Sequence, residues 1–274
     1  MSETLERLVL GDGRRAVLKL GGFWRSGVER ALYQTALKPA VHGSPELLGA
    51  GDGWLLLEHV DGARVDVEDA EAIRPVYRRL ADIHSAAAPE LPETPLSATS
   101  LRPLVELVHR AGRDPQAWEI TPAILSIVES FAGRANFPPT GPPSLLHGDY
   151  QRGNWLIDAA GHARVLDWEL AAVGCGILDL YYLHPTGRGA GHAPAGPLAE
   201  QAVGWYRERL VELGASPAPT ADLLAHLPDA IAWGALAAAR LRLEDYYADT
   251  PRSRGPRGEL PAAAAALIRY AAAQ

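Results

Sequence analysis

The chain has little of what marks secreted, membrane-bound or nucleic-acid-binding proteins. It carries one cysteine, Cys175, so no disulfide can close within it, and no Cys/His cluster has the spacing of a zinc site. That usage fits a reducing compartment and predicts a cytoplasmic protein. Basic side chains are the minority, 26 against 33 acidic, for a formal charge of −7. Such a balance gives no electrostatic footprint for a phosphate backbone, and nucleic acid is excluded as the expected partner. Long apolar runs are missing too. The Ala-rich stretch at residues 262–268 falls far short of the ~20 residues a spanning helix needs, so no membrane partner is expected. Residues 1–10 alternate charged and apolar side chains, unlike a secretory signal. What remains is a 274-residue chain with 47% hydrophobic positions, enough for one large domain or two tightly joined lobes.

Two apolar runs flank Gly11-Asp12-Gly13 within residues 5–20, and Asp-Gly between such runs predicts a hairpin. A helix follows, with Ser26 as N-cap, Val28, Leu32, Tyr33 and Leu37 on its apolar face, and an end near Lys38 just before Pro39. Two more strands are predicted at residues 46–50 and 54–60, around a second Gly-Asp-Gly. Residues 1–60 therefore read as a small β-rich lobe, and residues 61–274 as a larger helical one. In the second part helices are expected at residues 75–88, 198–214, 221–248 and 260–273, with short β-type runs between 145 and 183. Residues 89–103, 138–143 and 184–197 are rich in Pro or Gly and read as loops.

The chemistry concentrates in Leu145-Leu-His-Gly-Asp-Tyr-Gln-Arg-Gly-Asn-Trp-Leu-Ile-Asp158 and Arg164-Val-Leu-Asp-Trp168. Residues 154–158 and 163–167 read as two strands joined by a four-residue loop, in a register that pairs 158 with 163 and sets Asn154 opposite Asp167. An amide oxygen and a carboxylate would then converge, the kind of sparse oxygen donor set that suits Mg²⁺. Asp149, five residues before Asn154, would face the same opening as a base toward a hydroxyl nucleophile. An Asp base, an Asn five positions on and a later Asp form the pattern of a kinase catalytic loop.

His147-Gly-Asp-Tyr-Gln-Arg-Gly-Asn154 with Leu166-Asp-Trp-Glu169 resembles the aminoglycoside phosphotransferase and choline kinase family. The resemblance implies an α+β, protein-kinase-like two-lobe fold, ATP and Mg²⁺ as cofactors, and a small-molecule hydroxyl as acceptor. It implies that Asn154 and Asp167 hold the metal and that Asp149 is catalytic. Lys19, in Val17-Leu-Lys-Leu20, is similar to the family's phosphate-binding lysine. Leu55-Leu-Leu-Glu-His-Val-Asp-Gly62 is similar to its hinge, where the Glu58 carbonyl and the Val60 amide would bind adenine. Asp179 resembles an acidic residue that supports the catalytic loop. Glu29 has two readings: it pairs with Lys19, or, since Ser26-Gly-Val-Glu29 is a capping-box spacing, it reaches back to its own helix terminus. His84 and His147 read as structural residues. Trp205, Trp233, Tyr181 and Tyr182 could line a cation pocket or simply pack in the core.

Only about eighteen residues precede Lys19, where the family places an additional strand pair and a phosphate-covering loop, so the β-rich lobe reads as shortened: either that loop is reduced to Gly11-Asp12-Gly13 or the first strands are missing. The expected activity is ATP-dependent phosphoryl transfer to an aminoglycoside, amino sugar or choline-like amine. The alternative is a catalytically weak or inactive nucleotide-binding protein. Asp222, Asp229, Glu244, Asp245 and Asp249 would suit a cationic acceptor, or would form a solvated helix face.

Overall fold

A computed structural model describes residues 4–20, 24–91, 100–134, 137, 139, 141–183, 196–248 and 259–274. Strands β1 (Thr4–Val9) and β2 (Arg15–Leu20) form the expected hairpin, whose tip is closed by Gly13 N–H to the Leu10 carbonyl at 2.9 Å. Strands β3 (Leu47–Gly51) and β4 (Trp54–Glu58) turn at Asp52-Gly53, and the four strands make one antiparallel sheet in the order β1-β2-β4-β3. Helix α1 (Trp24–Thr35) buries Val28, Leu32 and Tyr33. It starts two residues before Ser26, which is therefore not its cap, and it stops at Thr35. Pro39 does more than end it, since its fixed φ opens the short helix α2 (Pro39–His42).

After β4 the chain changes partners. Strand β5 (Ala63–Arg64) pairs with β7 (Trp155–Ile157), which pairs with β8 (Ala163–Val165), while β6 (Pro143–Leu146) pairs with β9 (Ala172–Cys175). Around these ribbons pack α3 (Ala70–Ser85), α4 (Arg102–Ala111), α5 (Pro122–Ala132), α6 (Pro197–Glu212), α7 (Thr220–Ala225), α8 (Leu227–Tyr247) and α9 (Leu260–Ala272). Helix α3 begins at the Asp69 cap, whose carboxylate accepts the Glu71 N–H at 2.9 Å, and not at Pro75. The proline sits inside the helix and forfeits one backbone hydrogen bond, which burial of Ile73, Val76, Tyr77 and Leu80 offsets. The helix expected over 221–248 is broken at His226, because Pro228 has no N–H to carry it through and instead opens α8. Trp233 is fully buried and Trp205 packs against the same core, so both take the packing role. The side chains of Tyr181 and Tyr182, Asp249 and residues 184–195 lie outside the described part. Among the described residues no helix is long and apolar enough to cross a membrane.

Candidate active site

Lys19 projects from β2 and is only 7% exposed. Its Nζ lies 2.7 Å from Glu29 Oε2 on α1 and 2.7 Å from Asp167 Oδ1. Glu29 is thus the partner of Lys19 and not a cap: it sits in the second turn, fully buried, and its Oε1 accepts the Trp168 N–H at 3.1 Å. One carboxylate ties helix α1 both to the sheet and to the segment that carries Asp167. Burial by itself would lower the Lys19 pKa, but the Glu29 and Asp167 carboxylates more than reverse this and hold it above the ordinary lysine value. Burial pushes the Glu29 carboxyl up, against the pull of Lys19. The ammonium stays charged at any working pH. Lys19→Met should destabilise the protein by about 3–5 kcal/mol, because it strands Glu29 without its counter-ion. Lys19→Met/Glu29→Gln should regain most of that in urea unfolding, since Gln still accepts from Trp168.

The loop after β6 is fixed from behind. Asp179 accepts the His147 N–H at 2.6 Å and the Gly148 N–H at 2.8 Å, and its carboxylate meets His84 Nε2 at 3.1 Å. His84 in turn meets the Tyr206 hydroxyl at 2.9 Å. The His147 ring accepts the Asp149 N–H through Nδ1 at 3.2 Å and meets the Leu166 carbonyl through Nε2 at 2.8 Å, so it is a neutral Nε2–H tautomer with a structural role. Gly148 has φ +79°, and a Cβ there would lie 2.1 Å from the Leu170 carbonyl oxygen. Gly148→Ala combines a left-handed conformation with a backbone clash and should cost at least ~2 kcal/mol, read as a lowered urea midpoint.

Asn154 ends a single 3-10 turn, Arg152–Asn154, capped by Gln151, whose side chain accepts the Gly153 N–H at 2.8 Å. The Asn154 amide nitrogen donates both to the Asp149 carbonyl and to Asp149 Oδ2, each at 2.9 Å. With its nitrogen so used, the amide presents Oδ1 as its remaining donor atom. Gln151 Nε2 also reaches Asp149 Oδ2, at 3.4 Å. Tyr150 pins the loop to α3 through its hydroxyl, which donates to the Val76 carbonyl at 2.6 Å. Neither Gln151 nor Tyr150 carries a sequence signal beyond its place inside the motif.

The ribbon after Asn154 differs from expectation by one residue. Trp155 faces Val165 and Ile157 faces Ala163. The loop has five residues because Asp158 folds it, accepting the Ala160 and His162 N–H groups at 3.0 and 2.9 Å. Asn154 therefore lies across from Leu166, whose N–H it accepts at 2.9 Å, and does not oppose Asp167. Asp167 comes one residue later and has φ +62°, alone among the described non-glycine residues in the left-handed region. That turn points its carboxylate back to Lys19. The strain is held by Trp168, buried and bonded through Nε1 to the Val165 carbonyl at 3.2 Å.

Lys19, Glu29, Asn154 and Asp167 line one cleft of about 860 Å³ between the sheet and the β5–β7–β8 ribbon. Its roof is built by alternate residues: Leu5 and Arg7 of β1, Arg15 and Val17 of β2, and Leu57 of β4. Leu156 and Leu166 form the floor, and Glu58, His59 and Val60 its back edge. The Glu58 side chain turns away to Arg164 at 2.8 Å and the Glu46 N–H at 3.1 Å, joining the segments on either side of the cleft. Two apolar layers with polar groups at one end suit a flat heterocycle, and the far end suits a cation. Among the described residues no group of three or more His, Cys, Asp or Glu is placed to hold a metal ion. An ion bound by Asn154 Oδ1 and Asp167 would take its other ligands from water and substrate, a pattern that fits Mg²⁺.

No curated protein sequence matches the chain. Solved structures share its two-lobe, protein-kinase-like fold. The macrolide 2'-phosphotransferase of Brachybacterium faecium superposes with a TM-score of 0.64 at 20% identity, over 98% of this chain and 88% of that one. The ethanolamine kinase of Plasmodium vivax gives 0.65 at 10% identity, over 98% and 83%. The streptomycin–ATP ternary complex of APH(2'')-IIa gives 0.62 at 14%, over 97% and 91%. The sequence pattern of the phosphotransferase enzyme family matches residues 29–213, well over half of the chain, and the chain belongs to that family.

Proposed function

We propose that the protein is a kinase that moves the γ-phosphoryl group of ATP to a hydroxyl of a small molecule. One observation carries the reading: Lys19 holds Asp167 at 2.7 Å within the cleft, and Asn154, which lines the same cleft, holds Asp149 beside it at 2.9 Å. Residues 1–60 serve as the nucleotide lobe and 61–274 as the acceptor lobe. The Glu58 carbonyl and Val60 amide bind adenine, and Lys19 holds the α- and β-phosphates. Asn154 and Asp167 would hold Mg²⁺, which when bound neutralises charge on the phosphate oxygens. Asp149, oriented by the Asn154 amide, aligns the acceptor hydroxyl and takes its proton. Glu29 keeps Lys19 and the Asp167 segment in register.

A small acceptor fits because Asp167 and Asp179 are separated by eleven residues, too few for the long segment on which protein kinases seat a peptide. The structural relatives include a macrolide phosphotransferase, an ethanolamine kinase and an enzyme crystallised with streptomycin and ATP. A positively charged acceptor gets little support from the acidic C-terminal helices. Glu244 is taken by Arg240 at 2.7 Å, Asp229 by Arg134 at 3.5 Å, and Asp245 is buried, so these acids form neither an open acidic patch nor one solvated face.

A second reading is a nucleotide-binding protein without turnover, motivated by the tight turn between β1 and β2, which Leu10 N–H closes onto the Arg14 carbonyl at 2.8 Å. ADP release should be followed with MgATP across aminoglycosides, macrolides, amino sugars and amino alcohols. Acceptor-dependent release is the expected result. Tight ATP binding with no turnover on any acceptor would decide for the second reading.

A further inference from the structure

Three cations line the roof of the cleft, and two are neutralised. Lys19 lies between Glu29 and Asp167, and Arg15 is paired with Asp61. Arg7, on edge strand β1, forms neither an ion pair nor a side-chain hydrogen bond among the described residues, although it lines the same cleft. In the β1–β2 register Leu5 faces Lys19, Arg7 faces Val17 and Val9 faces Arg15. Arg7 is therefore the diagonal neighbour of both other cations on one face of the sheet, at the ~7–8 Å such diagonals span. A guanidinium without a partner, beside two cations whose counter-ions are already in place, favours an anion beneath it.

The hairpin tip, residues 10–14, lies beyond the Val9–Arg15 pair, at the end of the sheet away from Lys19, and does not supply that contact. Three of its amides are used within the turn: Leu10 N–H bonds to the Arg14 carbonyl at 2.8 Å, Gly13 N–H to the Leu10 carbonyl at 2.9 Å, and Arg14 N–H to Asp12 Oδ1 at 3.0 Å. Leu5, 66% exposed yet lining the cleft, marks the same edge as surface that a ligand would cover.

We infer that Arg7 is the polyphosphate ligand of the roof, a charged side chain on the edge strand doing what backbone amides of a covering loop do elsewhere. The inference rests on the nucleotide reading above and adds a residue to it. Along the sheet, Arg15 and His59 mark the adenine end and Lys19 the phosphate end. Arg7 lies between them, on the outer edge, where a polyphosphate leaving the base would pass. Its guanidinium offers forked donors to two phosphate oxygens.

Binding of MgATP and of adenosine to the wild type, Arg7→Ala and Arg7→Lys, by titration calorimetry, tests this. Arg7→Ala should weaken MgATP about ten- to a hundredfold, leave adenosine unchanged and leave the melting temperature within a degree or two, since the side chain is exposed. Arg7→Lys should recover part of the ATP affinity. Unchanged ATP affinity in Arg7→Ala would overturn the inference while leaving the kinase reading intact. An equal loss for adenosine and ATP would overturn it in favour of stacking on the base. A wild type that binds no ATP would overturn both readings.

Discussion

Asp149→Asn should lower acceptor-dependent turnover by about a hundred- to ten-thousandfold with ATP affinity nearly unchanged. The substitution keeps the shape of the side chain and an oxygen to accept from the Asn154 amide, which donates to Asp149 Oδ2 at 2.9 Å. The loop and the Asn154 orientation are therefore preserved. What is lost is the negative charge that takes a proton, and in a loose phosphoryl transfer the alignment it gives the hydroxyl. The loss should fall on kcat. A rate within threefold of wild type would remove Asp149 from the chemistry, and a matching drop in ATP affinity would recast it as part of the nucleotide site.

The second large effect is structural. Asp179→Ala should destabilise the fold by about 3–5 kcal/mol, the cost of leaving buried partners of a charge uncompensated. Asp179 is 1% exposed and is shared by the His147 and Gly148 N–H groups of the loop after β6 and by the His84 ring. No water can reach those donors without opening the packing of α3 on α6, where His84 and Tyr206 meet edge to face with ring centroids 5.6 Å apart. Activity should vanish with stability, because the same bonds set the direction in which Asp149 leaves the loop. Urea unfolding measures the loss, and a change below 1 kcal/mol would show that the loop holds itself.

The difference between these two acids explains what a sequence can and cannot disclose. Asp149, Asn154 and Asp167 lie within nineteen residues of one another, and their spacing suggests the proposed chemistry without any coordinates. Glu29 was ambiguous because Ser26-Gly-Val-Glu29 satisfies a local rule equally well. The choice is made by Lys19 and Trp168, distant in sequence, and by a helix that starts at Trp24. The register at Asn154 differs by one from the spacing's expectation because Asp158 folds a five-residue loop with its own side chain. A one-residue slip in a ribbon reverses facing, and it was the left-handed turn at Asp167, a conformation that the letter Asp permits without announcing, that still delivered the carboxylate to Lys19. Arg7 gave no signal, since an exposed arginine on an edge strand is ordinary until its two diagonal neighbours are seen to be neutralised.

The central claim is that Lys19, Asp149, Asn154 and Asp167 form one phosphoryl-transfer centre that serves a small alcohol. Phosphorus NMR of the protein with MgATP and the acceptor panel tests it most directly. The account predicts a new phosphomonoester resonance that appears in step with ADP and is lost in Asp149→Asn. Growth of ADP and inorganic phosphate alone, with no acceptor phosphorylated by the wild type, would contradict it.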